Sequence, residues 1–293
     1  MTASVQSLPG HPAATSVRVG LIGAGIAASR TPRMHVEEGQ ALGLDYDYRL
    51  IDTDLLPLPT PTIATLLDRA QADGLAGVNV TFPFKRAAMD AVDEVAPSAA
   101  AVGATNTIVF RGGRRIAHNT DYSGFAQGFR RGIGARPHGS VLLLGAGGAG
   151  GAVAHALLDH GVKLLFIHDT TPPSLTALIG AIEARLGPGR ARAARDLRVA
   201  LAAADGVVNA TPVGMAKLPG TPIDMALIEP RHWVADIVYF PLETAFLAQA
   251  RARGCHTIDG SGMAVFQAVA AFELFTGLAP DPARMRATFD SFT

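Results

Sequence analysis

Apolar and polar positions follow two rhythms along this chain, a period of two over short stretches and one near 3.6 over longer ones. Residues 17–22 (Val-Arg-Val-Gly-Leu-Ile) alternate, then run apolar into Gly23, and predict a first strand. Pro32 suits the first position of a helix over 32–42. A second strand is expected at 45–51, a helix at 62–73 and a third strand at 77–81. Residues 87–102 are rich in alanine and read as one helix, and 107–110 with 115–117 read as a hairpin around Arg111-Gly-Gly-Arg114. This β-α-β-α-β-α-β order predicts a first α/β domain.

A helix over 122–131 leads into a second series. Strand 141–144, helix 152–158 ending near Gly161, strand 163–167 and a helix over 174–186 come first. Strands at 203–209, 233–238 and 256–258 complete the series. Residues 187–198, rich in Arg and Ala, read as a solvated loop or strand edge. The last segment, 263–275, is apolar on nearly every side with Gly277 as its stop. Such a helix is expected to be buried, back against the first domain.

The sharpest local signal lies where strand 141–144 ends. Gly145-Ala146-Gly147-Gly148-Ala149-Gly150 places glycines at the G-x-G-x-x-G spacing. The first permits a tight turn, the second close approach of backbone to a pyrophosphate, and the third close packing of helix on strand. The phosphates then meet free N–H groups at the positive end of the helix. Asp169, 24 residues after Gly145, stands about where a ribose-binding acid belongs. The expected fold class is therefore α/β, with a Rossmann-type dinucleotide-binding domain over 123–261. Residues 1–122 and 262–293 form a discontinuous substrate and catalytic domain, with the cleft between the two.

Composition narrows the partners. The 293 residues suit about two domains, and 48% hydrophobic with 17% charged residues excludes disorder. Lys+Arg and Asp+Glu are both 25, so no net field recruits nucleic acid or an anionic membrane. No apolar run is long enough for a transmembrane helix. Residues 1–15 lack a basic segment followed by an apolar core, and are expected to be a tail rather than a secretion signal. The single cysteine, Cys255, reads as a small buried residue in a reducing compartment, so the cytoplasm is expected. The nine histidines show no H-E-x-x-H pattern, and no metal is expected.

Four polar residues stand out. Lys85 follows a buried strand among apolar neighbours, and Asp121 opens the linking helix. Lys85 also reads as a surface lysine, Asp121 as a helix cap and Asn106 as a turn residue. Gln267 is an amide inside an apolar helix and needs partners. Residue spacing alone does not bring these four together.

Seven ordered phrases do. They are G-V-N-V-T-F-P-F-K (77–85), G-A-T-N-T-I (103–108), N-T-D-Y-S-G (119–124), G-A-G-G-A-G (145–150), N-A-T-P-V-G-M (209–215), D-I-V-Y-F-P-L-E-T (236–244) and G-M-A-V-F-Q-A (262–268). Together they resemble the shikimate/quinate dehydrogenase family, from about Val19 to Gly277. The resemblance implies Lys85 and Asp121 as the catalytic pair. It implies Ser29, Thr31, Thr81, Asn106, Tyr239 and Gln267 around a polyhydroxylated ring carboxylate, with Asn79 nearby. Asn209, Thr211 and Met215 would line the cofactor side with the glycine turn and Asp169, and Gly260 and Met263 would face the nicotinamide.

Two departures shape the expectation. Ser29-Arg-Thr31-Pro replaces the Ser-x-Ser-Pro common in shikimate dehydrogenases and resembles the quinate/shikimate branch. His168-Asp169-Thr170 replaces the Asn-Arg-Thr of NADP-dependent members, which points to NAD over NADP. The implied reaction is hydride transfer between NAD and a ring alcohol, as in shikimate to 3-dehydroshikimate or quinate to 3-dehydroquinate. An aminoshikimate-type relative and a silent metabolite sensor are the other readings of the same motifs, and monomer and homodimer are both open.

Overall fold

The computed structural model describes residues 15–292; the expected N-terminal tail falls largely on residues 1–14, outside them. Two six-stranded sheets carry the architecture. The first begins with β1 (Ser16–Gly23), whose last five residues are buried. It pairs in parallel with β2 (Asp45–Asp52) on one side and β3 (Gly77–Val80) on the other. The hairpin β5 (Thr107–Arg111) and β6 (Arg114–His118) extends the sheet antiparallel to β3. Helices α1 (Thr31–Ala41) and α2 (Ile63–Ala72) make the crossovers, with Pro32 in the first turn of α1 as expected.

Residues 87–102 do not form one helix. They make a 3-10 turn (Ala87–Ala91), a two-residue strand β4 (Glu94–Val95) beside β6, and helix α3 (Pro97–Val102). Pro97 starts α3 and cannot continue a helix arriving from before it, which the alanine-rich composition concealed.

Helix α4 (Thr120–Ile133) leads to the second sheet, which is wholly parallel in the order β12-β11-β10-β7-β8-β9. Its strands are β7 (Ser140–Leu144), β8 (Leu164–His168), β9 (Ala191–Ala193), β10 (Gly206–Asn209), β11 (Trp233–Asp236) and β12 (His256–Ile258). Strand β7 is covered on both faces. Val141 and Leu143 point into one apolar cluster, Leu142 and Leu144 into the other. The first is covered by α4, α5 (Gly148–Asp159) and α6 (Pro172–Leu186), the second by α7 (Leu197–Ala203) and α8 (Ala245–Ala252). Burial of both faces is why this strand reads as an unbroken apolar run. The order reverses between β7 and β10, and the crevice beyond their C-terminal ends is where open α/β sheets bind ligands.

Strand β9 takes the edge that residues 187–198 were expected to leave as loop or strand edge. Helices α7 and α8 and the terminal α10 (Pro282–Asp290) had no counterpart in the periodicity, yet each has an N-cap: Asp196, Thr244 and Asp281. Their brevity gives too few turns for a periodic signal.

Helix α9 (Ser261–Thr276) returns to the first sheet, burying Ala271, Phe272 and Phe275 with Val19, Tyr46 and Val109. It crosses α4 almost backbone to backbone. A Cβ on Gly128 would lie 3.1 Å from Gly262 Cα, and one on Gly124 would lie 2.7 Å from Gln267 N. Gly124, Gly128 and Gly132 recur every fourth residue on one face of α4, so close crossing is written into its sequence. Helix α10 clamps α1: Glu38, fully buried, accepts from Arg284 Nε at 2.6 Å and Nη2 at 2.8 Å.

Candidate active site

The cleft between the sheets gathers the expected polar residues. Lys85 follows β3 in a turn where Phe84 N donates to Thr81 O at 2.9 Å, and its own carbonyl accepts from Thr105 N at 2.9 Å. Asp121 lies in the first turn of α4, where a negative charge is favoured by the helix dipole. It is not the cap. Asn119 takes that place, accepting from Tyr122 N at 3.1 Å, and leaves the Asp121 carboxylate free to face Lys85.

The two meet with Lys85 Nζ 2.5 Å from Asp121 Oδ2. Their side chains are 19% and 7% exposed, so the lysine is the member open to the cleft. Asp121 Oδ1 accepts from Asn106 Nδ2 at 3.0 Å. Asn106 Oδ1 in turn accepts from Thr120 N at 2.7 Å and Thr107 Oγ1 at 3.1 Å. Asn79 Nδ2 donates to Asn106 O and Thr107 Oγ1, while Tyr48 OH donates to Asn79 Oδ1 at 2.8 Å. Burial pushes the Tyr48 phenol well above its ordinary pKa, so it remains a donor. Each buried polar group here has a partner, which holds the pair in one geometry.

Thr31 opens α1 from a buried position, and its Oγ1 accepts from Gln267 Nε2 at 3.4 Å. That contact and a bond to Ala264 O supply the partners Gln267 was expected to need. Ser29 and Thr81 are half-buried on neighbouring loops. The Tyr239 phenol is pushed up by burial first and by the charge of Asp121 second, with Arg30 opposing, so it lies within electrostatic reach of the pair.

Across the cleft, the glycine turn has the shape its spacing implies. Gly145 adopts φ +98°, where a Cβ would lie 2.8 Å from Ala210 O. A Cβ on Gly150 would sit 2.1 Å from Gly145 O. One on Gly147 would meet nothing within 4 Å, and no side chain caps α5. The turn and its helix therefore fit a dinucleotide diphosphate. Gly148 faces Lys85, whose Cβ would lie 3.5 Å from a Cβ at that glycine, so the turn and Lys85 are neighbours.

Asp169 directly follows β8 and is fixed twice: Oδ2 accepts from Ala146 N at 2.6 Å, Oδ1 from Thr171 N at 2.6 Å. Thr171 rather than Asp169 is the N-cap of α6. Asn209 sits one layer back from the cleft. It is fully buried, donates to Val213 O and Asp236 Oδ1, and accepts from Thr211 N and Oγ1. It shapes the loop that presents Thr211 and the exposed Met215. Gly260 packs under Val238 O, with a would-be Cβ at 2.6 Å, and Met263 follows in the first turn of α9.

Residue patterns missed several members of the site. Asp52 accepts from Gly25 N at 2.8 Å and Ile26 N at 2.9 Å, holding the loop that carries Ser29. Arg86 Nη2 donates to Ala146 O at 3.1 Å. Both act on backbone groups, which leave no mark in a sequence. Thr107 and Thr120 flank residues already singled out, and that adjacency was the available signal. Among the described residues no cluster of three or more His, Cys, Asp or Glu could hold a metal ion. None of their helices is long and apolar enough to cross a membrane.

Comparison with known proteins agrees with this geometry. Residues 21–108 match the model of the shikimate dehydrogenase substrate binding domain, and 260–288 that of the shikimate 5'-dehydrogenase C-terminal domain. The quinate/shikimate dehydrogenase (NAD(+)) of Corynebacterium efficiens is 48% identical over 94% of this chain and 98% of its own. The shikimate dehydrogenase (NADP(+)) of Streptomyces avermitilis is 49% identical over 93% and 94%. Among solved structures, quinate dehydrogenase from Corynebacterium glutamicum in complex with NAD superposes with a TM-score of 0.88 at 46% identity, covering 95% of this chain and all of that one.

Proposed function

The chain belongs to the shikimate/quinate dehydrogenase family, and from that premise we propose that it interconverts a ring alcohol and its ketone, with NAD, on shikimate, quinate or both. The observation that carries this reading is the Lys85–Asp121 pair, its carboxylate buried and its amine open to the cleft, packed against a glycine turn open to a dinucleotide.

A dinucleotide held at the glycine turn would supply the hydride acceptor or donor. In oxidation the substrate's C–H bond would give up a hydride and its O–H proton would pass to the neutral amine of Lys85; in reduction the Lys85 ammonium would return the proton to the ketone oxygen. Asp121 orients the lysine through Oδ2 and is itself held by Asn106 through Oδ1. Ser29, Thr31, Thr81, Asn106, Tyr239 and Gln267 offer hydroxyl and amide groups to a polyol acid. On this reading the substrate wall is drawn from the described residues within 1–122 and 262–293, and the cofactor wall from residues 123–261.

Asp169 favours NAD. Its carboxylate, fixed at the end of β8, can accept from ribose hydroxyls, whereas the 2′-phosphate of NADP would meet a like charge. No arginine stands in 169–178 to compensate. A chain with one cysteine and balanced charge suits a cytoplasmic metabolic enzyme acting as a monomer or homodimer, with no role for nucleic acid.

The test is turnover, read as nicotinamide absorbance, with shikimate, quinate and aminoshikimate, each with NAD and NADP. Turnover of shikimate or quinate with NAD at least about tenfold above NADP in kcat/KM is expected. Turnover of aminoshikimate alone, or none at all, overturns the reading.

A further inference from the structure

Lys85 and Arg86 are consecutive, and their side chains part. Lys85 turns into the cleft wall to meet Asp121, whereas Arg86 crosses from the substrate half to the glycine turn and donates from Nη2 to Ala146 O at 3.1 Å. Ala146 O is the one hydrogen-bond partner of its guanidinium among the described residues, and no carboxylate there forms an ion pair with it. A backbone carbonyl leaves a guanidinium charge uncompensated and uses only part of its five-donor fork. Next to Ala146 is Gly147, the position whose Cβ would point into open space. Under the NAD reading above, on which this inference rests, that space takes the cofactor diphosphate. The N-terminal end of α5 supplies backbone donors from one side. Arg86 brings a full positive charge to the same turn from the opposite wall.

We propose that Arg86 is a cofactor-binding residue contributed by the substrate half, pairing with the diphosphate across the cleft. A planar fork suits phosphate oxygens better than it suits one carbonyl. Because Arg86 is bonded in the chain to Lys85, the contact also sets the register between the bound dinucleotide and the proton-transferring amine. The glycine turn alone fixes the cofactor to its own domain; Arg86 ties it to the domain that holds the ring acid.

The experiment is a fluorescence titration of NADH into the unsubstituted protein, Arg86→Gln and Arg86→Lys at several salt concentrations. A parallel calorimetric titration uses ADP-ribose, which carries the diphosphate without the nicotinamide. Gln keeps a donor for Ala146 O but loses the charge; Lys keeps the charge. Arg86→Gln is expected to weaken NADH and ADP-ribose alike, by roughly fivefold to twentyfold at low salt, and to flatten the salt dependence of the NADH Kd. Arg86→Lys should recover most of the loss. Equal effects of Gln and Lys, or an unchanged NADH Kd in Arg86→Gln, overturn the inference while leaving the function in place. Failure of the unsubstituted protein to bind NADH overturns the cofactor reading and the inference with it.

Discussion

The two walls of the cleft are built on opposite principles. On the substrate wall, side chains do the work: Lys85, Asp121, Asn106, Asn79 and Tyr48 form one chain of hydrogen bonds in which each buried group is already satisfied. The other wall is mostly backbone, a glycine turn and a helix end, with the Asp169 carboxylate accepting from Ala146 N and the Arg86 guanidinium donating to Ala146 O. A side-chain network holds precise geometry and is broken by any single change. A backbone cradle tolerates change in side chains but not the addition of a Cβ. Selectivity for the ring acid should therefore be spread over many residues, whereas selectivity between NAD and NADP should rest on one.

Four substitutions test that contrast. Lys85→Ala strikes the network at its functional end and should lower kcat by about 10²–10⁴, with NADH binding by fluorescence nearly unchanged. Near-normal kcat would remove Lys85 from the mechanism. Gly147→Ala probes the cradle. Its Cβ meets nothing in the protein and φ is −74°, so the thermal midpoint should hold. The KM for NAD should nonetheless rise by roughly tenfold or more, since the methyl occupies the approach to the diphosphate. An unchanged KM would show that the cofactor lies elsewhere.

Asp169→Asn comes next. It keeps an acceptor for Ala146 N and removes the charge, so the preference for NAD, about tenfold or more, should narrow chiefly through faster turnover of NADP. A preference that survives intact would move cofactor choice off this residue. The smallest effect is expected from Thr31→Ser. The hydroxyl that meets Gln267 remains and only a methyl is lost. The quinate-to-shikimate ratio of kcat/KM should shift by a few-fold, within what one methyl group can discriminate. A constant ratio would place the discrimination around Tyr239 or Gln267.

Much of this molecule was legible before its structure. The run Val141–Leu144 announced a strand buried on both faces, and the spacing of Gly145, Gly147 and Gly150 announced the turn after it. Those features are encoded by size and apolarity, which a sequence displays directly. Composition misled where it was indifferent to conformation: alanine in 87–102 suits a helix, yet Pro97 divides the segment. Helices α7, α8 and α10 left only their caps as evidence. Motif resemblance named Lys85 and Asp121 as a pair, and their side chains meet; it named Asn209 for the cofactor side, where Asn209 is buried and bonded to Asp236 and Val213. Asp52 and Arg86 were illegible for a different reason. Their partners are N–H and C=O groups, which every residue carries, so nothing in the pattern marks those two as paired.

The close crossing of α4 and α9 has a mechanical side. Where Gly128 and Gly262 approach, the crossing of α4 and α9 acts as a fulcrum between the two sheets, with Asp121 and Gln267 out along the helices that form it. A methyl on Gly128 would begin 3.1 Å from Gly262 Cα, short of comfortable carbon–carbon contact by roughly half an ångström. Any separation forced there is magnified at the far end of the arms, where an error of about 1 Å between donor and acceptor is enough to slow a reaction a hundredfold. Two residues with no side chain thus set how closely the two helices, and the groups they carry, can pass.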